Sequence, residues 1–345
     1  MAHTRLHQPV RVGILGAGNI SHTHARAASD IPGVEIAACW SRDRLRAARL
    51  ATEFSAAAYE TLEDFLGHPS LDVVLVGTPS GLHADHAAEA ARHGLHVLVE
   101  KPLDITAAKA DALIDCCDRA GIMLGVVFQD RAAPDVAWLK RMIGLGALGE
   151  LILVSARVKW YRRPEYYAAS TWRGTWALDG GGALMNQGIH TVDLLLWLLG
   201  DVRRVSAAMR TAFHHIEVED AVVACLEFDN GAVGTLEATT AAYPGFARRV
   251  EISGTQGTVV LEGDRVVSVE LRSPAPEPPP ASEASTNLSS TSPVVSDVRG
   301  HRRVIENFLN AIESGIAPLC DGRDGRRSVA LVEAIYAAAR TGASV

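Results

Sequence analysis

The sequence predicts an α/β fold in two domains: residues 1–129 as a parallel sheet covered by helices on both faces, and residues 130–345 as an α+β domain around an antiparallel sheet. Three observations predict it. Up to residue 128, short apolar runs alternate with amphipathic helical stretches; from 202 to 263, strand-like runs follow one another through short turns; and 345 residues exceed what a single core usually holds.

The first run, VRVGIL (10–15), passes through GAGNIS directly into the helical stretch HTHARAASD. Strands at 34–40, 72–77, 95–100 and 122–128 then alternate with helices at 43–54, 84–94 and 106–121. Buried strands joined by helices close as a parallel sheet with right-handed crossovers, the Rossmann arrangement. In it, the glycine-rich turn sets backbone N–H groups and the positive end of a helix against a pyrophosphate. Gly16 permits the turn, Gly18 lets the phosphate approach, and Ser21 is small enough to replace a third glycine. Taken alone, G-x-G is only a tight loop; its place between strand and helix makes it an NAD(P) signature.

At the end of the second strand, CWSRD puts Ser41 and Arg42 where NAD enzymes commonly carry an acid. A hydroxyl and a guanidinium suit a 2′-phosphate, so NADP is favoured. Asp43 keeps NAD open, and a competing reading makes Ser41 a helix cap and Arg42 a solvated side chain. Ligands of such sheets lie across the carboxyl ends of the strands. Thr78, Pro79 and His83 of TPSGLH, with Glu100 and Lys101 of VEKPLDI, are therefore cleft candidates, and Pro102 restricts the backbone of Lys101. Position alone leaves Lys101 equally a surface lysine.

The second half adds a site. LDGGGALMNQGIHTVDLLLWLLG (178–200) opens on three glycines and continues as a helix with Asn186, His190 and Asp193 on one side, one turn apart. An imidazole flanked by an amide and a carboxylate is a proton-transfer candidate, although His190 is also readable as a partly buried histidine. Residues 157–182 gather Trp160, Tyr161, Tyr166, Tyr167, Trp172 and Trp176 among Arg157, Lys159, Arg162, Arg163 and Arg173, in a chain poor in aromatics. Aromatic faces pack on sugar rings and guanidinium groups hold carboxylates or phosphates, so a sugar or sugar acid is the expected substrate class. About half of these aromatics are expected to be core or oligomer contacts instead. The runs 202–213, 220–228, 232–241, 248–254 and 257–263 supply the antiparallel sheet, with DNG (229–231) as a hairpin turn. The Pro/Ser-rich stretch 273–297 is expected to be a flexible loop, and helices near 299–314 and 326–341 to pack back on the body of the second domain.

The motifs GAGNIS, TPSGLH, EKP and GGGALMNQGIHTVDLL together resemble the Gfo/Idh/MocA oxidoreductases, over nearly the whole chain. The resemblance implies a Rossmann domain followed by an α/β domain with a large, mostly antiparallel sheet that often forms an oligomer interface, and hydride transfer between a nicotinamide and a sugar or cyclitol carbon. It implies that Lys101 and His190 are catalytic and that Asn19, Ile20 and Gln129 join the cofactor residues. Many members carry aspartate where Asn186 stands. An amide orients a hydroxyl but accepts no proton, so His190 is the expected base, Lys101 the stabiliser of the developing alkoxide, Asn186 the group that orients the reacting hydroxyl, and Asp193 a group that tunes the imidazole or binds another substrate hydroxyl. The expected substrate contacts are Lys101, Trp160, Arg162, Tyr167, Trp172, Arg173, Asn186, His190 and Asp193. Two alternatives stay open: an NAD-dependent glycosidase of the same family and a non-catalytic redox sensor.

Bulk properties exclude other classes. A net charge of −7 without a basic run argues against nucleic acid, and five scattered cysteines without a paired spacing argue against a disulfide framework or zinc site. No segment has the apolar length of a membrane span. The expectation is a cytoplasmic homo-oligomer, dimer or tetramer, acting on a small carbohydrate without a metal.

Overall fold

The computed structural model describes residues 6–281, 290–292 and 297–345. The chain forms two compact units: residues to 129 with 297–326, and residues 130–292 with 327–345.

The first unit is built on β1 (Val10–Leu15), β2 (Val34–Trp40), β3 (Ala57–Ala58), β4 (Val73–Val76), β5 (His96–Glu100) and β6 (Leu124–Val127). They form one parallel sheet in the order β3-β2-β1-β4-β5-β6. The order reverses direction between β1 and β4, which opens a crevice at their carboxyl ends. The middles of the strands are apolar because helices cover both faces; Val12, Val74, Val97 and Val99 are wholly buried. The connecting helices are α1 (Asn19–Ser29), α2 (Arg44–Glu53), α3 (Leu62–Leu66), α4 (His83–Arg92) and α5 (Ala107–Ala120). Side chains of Asp43, Thr61 and Thr106 cap α2, α3 and α5 by accepting from the third backbone N–H beyond them.

The helix Arg299–Ser314 belongs to this unit and corrects the expectation of a second domain running unbroken from 130 to 345. Its apolar side, Val304, Ile305, Phe308 and Ile312, is buried, and Phe308 sits so close over β6 that a Cβ on Gly125 would lie 2.7 Å from its ring. Helical periodicity announces an apolar face; it does not say which sheet that face covers.

The second unit carries β7 (Leu151–Lys159), β8 (Val202–Arg210), β9 (Ala221–Phe228), β10 (Val233–Thr239), β11 (Arg249–Gly254), β12 (Gly257–Glu262) and β13 (Arg265–Leu271). The seven-stranded sheet has the order β13-β12-β11-β7-β10-β9-β8, antiparallel except for the β7–β10 pair. One face is core: Val154, Ala156 and Val158 of β7 alternate with Val222, Ala224 and Leu226 of β9 and Leu236 and Ala238 of β10. The other face leaves Leu153, Val223 and Val233 about half exposed. The helix Ile189–Leu199 packs against β7, and the turn before it against β9 and β10.

Of the stretch 273–297, residues 282–289 and 293–296 lie outside the described residues, so the expected flexible loop is only partly visible. Its described part is tied down at Glu277, whose carbonyl accepts from Trp138 Nε1 at 3.1 Å and whose carboxylate meets Arg141 at 3.0 Å. No helix among the described residues is long and apolar enough to cross a membrane.

Candidate active site

Gly16 turns the chain out of β1 at a φ of +115°, and a Cβ there would lie 2.6 Å from the Gly77 carbonyl oxygen. A side chain is excluded twice, by strain and by space. Gly18 is different: an added Cβ would meet nothing within 4 Å, so its open side faces free space at the start of α1. No side chain caps α1, which leaves its first N–H groups pointing there. An uncapped helix start beside a bare glycine fits a pyrophosphate. Asn19 is exposed and Ile20 half-buried at the same end, and Ser21 is buried with Oγ 3.4 Å from the Gly77 carbonyl.

Beyond β2, Asp43 Oδ1 accepts from the Arg46 N–H at 3.1 Å, and Ser41 Oγ accepts from the Asp43 N–H at 3.3 Å. The helix cap is thus Asp43 and not Ser41, and Arg42 is exposed. Thr78 and Pro79 are half-buried after β4, and Gln129 is half-buried after β6.

Glu100 and His83 do not present their side chains as cofactor ligands, contrary to expectation. The Glu100 carboxylate is buried, accepts from His24 Nε2 at 2.9 Å and from its neighbour's N–H, that of Lys101, at 3.0 Å, and lies 3.7 Å from His301 Nε2. Burial raises its pKa, but hydrogen bonds from the two histidines and their charge overcome this and hold the carboxyl well below the usual range. His83 is buried between two backbone carbonyls. Lys101, by contrast, is half-buried at the strand end.

In the second unit, the segment after the glycines is not a regular α-helix. Ala183–Gly188 is a π-helical turn that gives way to α-helix only at Ile189. The turn that carries Asn186 is therefore wider than predicted, and Asn186 and His190, four residues apart, remain about one turn apart. Glu219, which sequence reasoning missed, fixes this turn. Its Oε2 accepts from Gly182 N–H at 2.8 Å, and its Oε1 from Leu184 N–H at 2.8 Å and the Tyr336 hydroxyl at 2.9 Å. A Cβ on Gly182 would lie 1.8 Å from the Glu219 carbonyl oxygen, so the glycine is required for this approach. Burial pushes the Glu219 carboxyl up to about 7 against these donors.

Asn186 and His190 are both half-buried. Asn186 Nδ2 donates to Asp179 at 2.6 Å, and Gln187 Nε2 donates to Asn186 Oδ1 at 3.1 Å and to the Tyr166 hydroxyl at 3.2 Å. Asp179, directly before the glycines, was a visible signal left unread. Asp193 is buried: Arg131 grips it through Nε at 2.9 Å and Nη2 at 2.7 Å, and Ser328 Oγ adds a bond at 3.2 Å. A doubly bonded core carboxylate is not a substrate contact, and that expectation is corrected.

Tyr167 also leaves the substrate set, since its ring is buried and its hydroxyl is 3.0 Å from Thr240 Oγ1. The remaining members cluster. The Arg173 guanidinium stacks 4.7 Å from the Tyr166 ring centroid and 5.1 Å from that of Trp172. Arg162, 4% exposed, lies 5.2 Å from the Trp160 centroid and 5.6 Å from that of Tyr166. Two guanidinium groups thus share one tyrosine ring, whose hydroxyl leads through Gln187 to Asn186. The Nε of Arg173 and the indole Nε1 of Trp160 are buried without a hydrogen-bond acceptor. The two guanidinium groups and the Trp160, Tyr166 and Trp172 rings form a positive, aromatic-walled patch suited to an anion.

Comparison with known proteins agrees with both halves. Residues 10–128 match an oxidoreductase family with an NAD-binding Rossmann fold, and residues 136–260 match the GFO/IDH/MocA C-terminal domain. The rhizopine catabolism protein MocA of Rhizobium meliloti is 33% identical over 72% of this chain and 76% of its own. D-xylose 1-dehydrogenase (NADP(+)) 2 of Haloferax volcanii is 31% identical over 96% of this chain and 98% of its own. Among solved structures, the WlbA dehydrogenase of Bordetella pertussis in complex with NADH and UDP-GlcNAcA superposes with a TM-score of 0.89 at 31% identity, over 99% of each chain.

Proposed function

The chain belongs to the GFO/IDH/MocA family of NAD(P)-dependent oxidoreductases, and from that premise we propose that it acts on a secondary alcohol or ketone of a sugar bearing an anionic substituent. Gly16, Gly18, Asn19, Ile20, Thr78, Pro79 and Gln129 are the proposed cofactor residues. Bound NAD(P) supplies the acceptor or donor of hydride. Lys101 and His190 are the proposed catalytic groups: His190 takes the hydroxyl proton, and the Lys101 ammonium stabilises the oxygen as it becomes negative. Asn186, held by Asp179 and Gln187, orients the reacting hydroxyl.

The observation that carries the substrate class is the Arg162–Tyr166–Arg173 stack. Neutral sugars do not call for two guanidinium groups on one ring; a carboxylate or phosphate does. UDP-GlcNAcA in the WlbA complex is an anionic nucleotide sugar and supports the same class. The test is Arg173→Gln assayed on paired anionic and neutral sugars. A charged hydrogen bond lost is expected to lower kcat/KM for the anionic one by about 10- to 100-fold and for the neutral one by less than about 3-fold. Equal losses on both would remove the anionic substituent from the account.

Ser41 and Arg42, with Asp43 occupied as a helix cap, support NADP as the preferred cofactor, and NADH in the WlbA complex supplies the competing outcome. The half-exposed Leu153, Val223 and Val233 on the outer sheet face support a homo-oligomer formed through that face. Five free thiols support a reducing, cytoplasmic setting.

A further inference from the structure

His83 was expected to touch cofactor, and its surroundings give it other work. Its Nδ1 lies 2.7 Å from the Pro102 carbonyl oxygen and its Nε2 lies 2.8 Å from the Thr78 carbonyl oxygen. Carbonyl oxygens only accept, and a neutral imidazole has one N–H. In either neutral tautomer, one of these contacts sets a nitrogen lone pair against an oxygen lone pair at hydrogen-bond distance. The residue is 2% exposed, so solvent does not relieve that contact. Only the doubly protonated ring satisfies both.

The surroundings supply countercharge. Asp104, on the loop after β5, is wholly buried, and with Glu100 at the end of β5 it draws His83 toward its charged form. Burial, the largest influence, pushes the pKa of the ring down, while both carbonyls, Glu100 and Asp104 push it up. His86, on the same helix, adds no charge near neutrality, since burial brings it down to about 4. Lys109 of α5 lies 3.8 Å from Asp104 and claims part of its charge. Between these opposing influences, the paired carbonyl contacts favour the cation.

The consequence concerns Lys101. Its own N–H is held by the Glu100 carboxylate at 3.0 Å, and the carbonyl of the next residue is held by His83. The backbone is thus fixed on both sides of the lysine, and His83 ties it to the loop that follows β4. We infer that His83 is a buried imidazolium that acts as a positioning residue for Lys101, clamping the loops after β4 and β5 together. The positioning half rests on the catalytic reading of Lys101; the protonation half does not.

The test begins with nitrogen NMR of the full-length protein labelled at histidine, with the His83 signals assigned by their loss in His83→Gln. Two protonated ring nitrogens at neutral pH are expected, and one unprotonated nitrogen would overturn the imidazolium. Where His83→Gln does not fold, Asp104→Asn serves: removing the countercharge is expected to lower the pH at which the second proton is lost, and an unmoved transition overturns the assignment. Positioning is read from a double-mutant cycle on a substrate of the wild-type enzyme. His83→Gln is expected to lower kcat about 10-fold with KM changed less than about 3-fold, and to cost nothing further in a Lys101→Ala background. Independent, multiplicative losses would make His83 structural only. The NMR arm keeps its meaning even if Lys101 is not catalytic.

Discussion

Asp193→Ala separates a structural from a substrate-binding carboxylate. In the folded second unit, Asp193 and Arg131 are each 1% exposed, and their bidentate contact is made at 2.7 and 2.9 Å, with Ser328 completing the carboxylate. Removing the acid leaves a guanidinium buried with its principal charge partner gone. Breaking such a pair costs about 3–5 kcal/mol, or about 6–20 °C in the melting temperature of a unit this size. Replacing both partners at once, as Asp193→Leu with Arg131→Met, removes the stranded charge and is expected to recover most of the loss. Thermal unfolding followed by circular dichroism measures both variants, and steady-state kinetics on the folded fraction measures KM. A variant of wild-type stability with a KM raised 10-fold or more would refute the structural assignment and return Asp193 to the substrate.

The two turn glycines are expected to fail differently. Gly16→Ala meets the Gly77 carbonyl in a strained backbone and destabilises the first unit, whereas Gly18→Ala meets no protein atom and leaves the melting temperature within about 2 °C while weakening NAD(P)H binding about 10-fold or more, read by fluorescence titration. Glu219 predicts a pH dependence: with its carboxyl raised to about 7, the stability it lends is complete below the ordinary glutamate range and is lost as pH rises through that value. Relative to Glu219→Gln, wild type is therefore expected to lose on the order of 3 kcal/mol across this window. Parallel stability curves would contradict the shift.

Much of this was legible because it is local. Continuous apolar strands and the Gly16–Gly18 turn are written in neighbouring residues, and the parallel Rossmann arrangement follows from them. What was not legible is set by distant partners. Asp193 looked like a site residue at helical spacing until Arg131, 62 positions away, took it. Glu219 lies in an ordinary polar stretch, and only the return of β9 beside the glycines makes it an anchor. The π turn runs straight into the α-helix that follows it and shares its buried apolar side through Leu184 and Met185, so periodicity does not expose it. The strand β7 is not legible as a buried strand because it carries Arg157 and Lys159 and is buried on one face only, at Val154, Ala156 and Val158.

The measurement that tests the central claim most directly follows the absorbance of reduced nicotinamide while purified protein is incubated with nucleotide sugars, sugar acids, neutral sugars and cyclitols, with NAD and NADP in parallel, for wild type, Lys101→Ala and His190→Ala. The account predicts reduced cofactor from an anionic sugar, with a loss of at least about 100-fold in each variant and nucleotide binding retained. Turnover that survives either substitution would contradict it, as would nucleotide binding with no turnover on any compound.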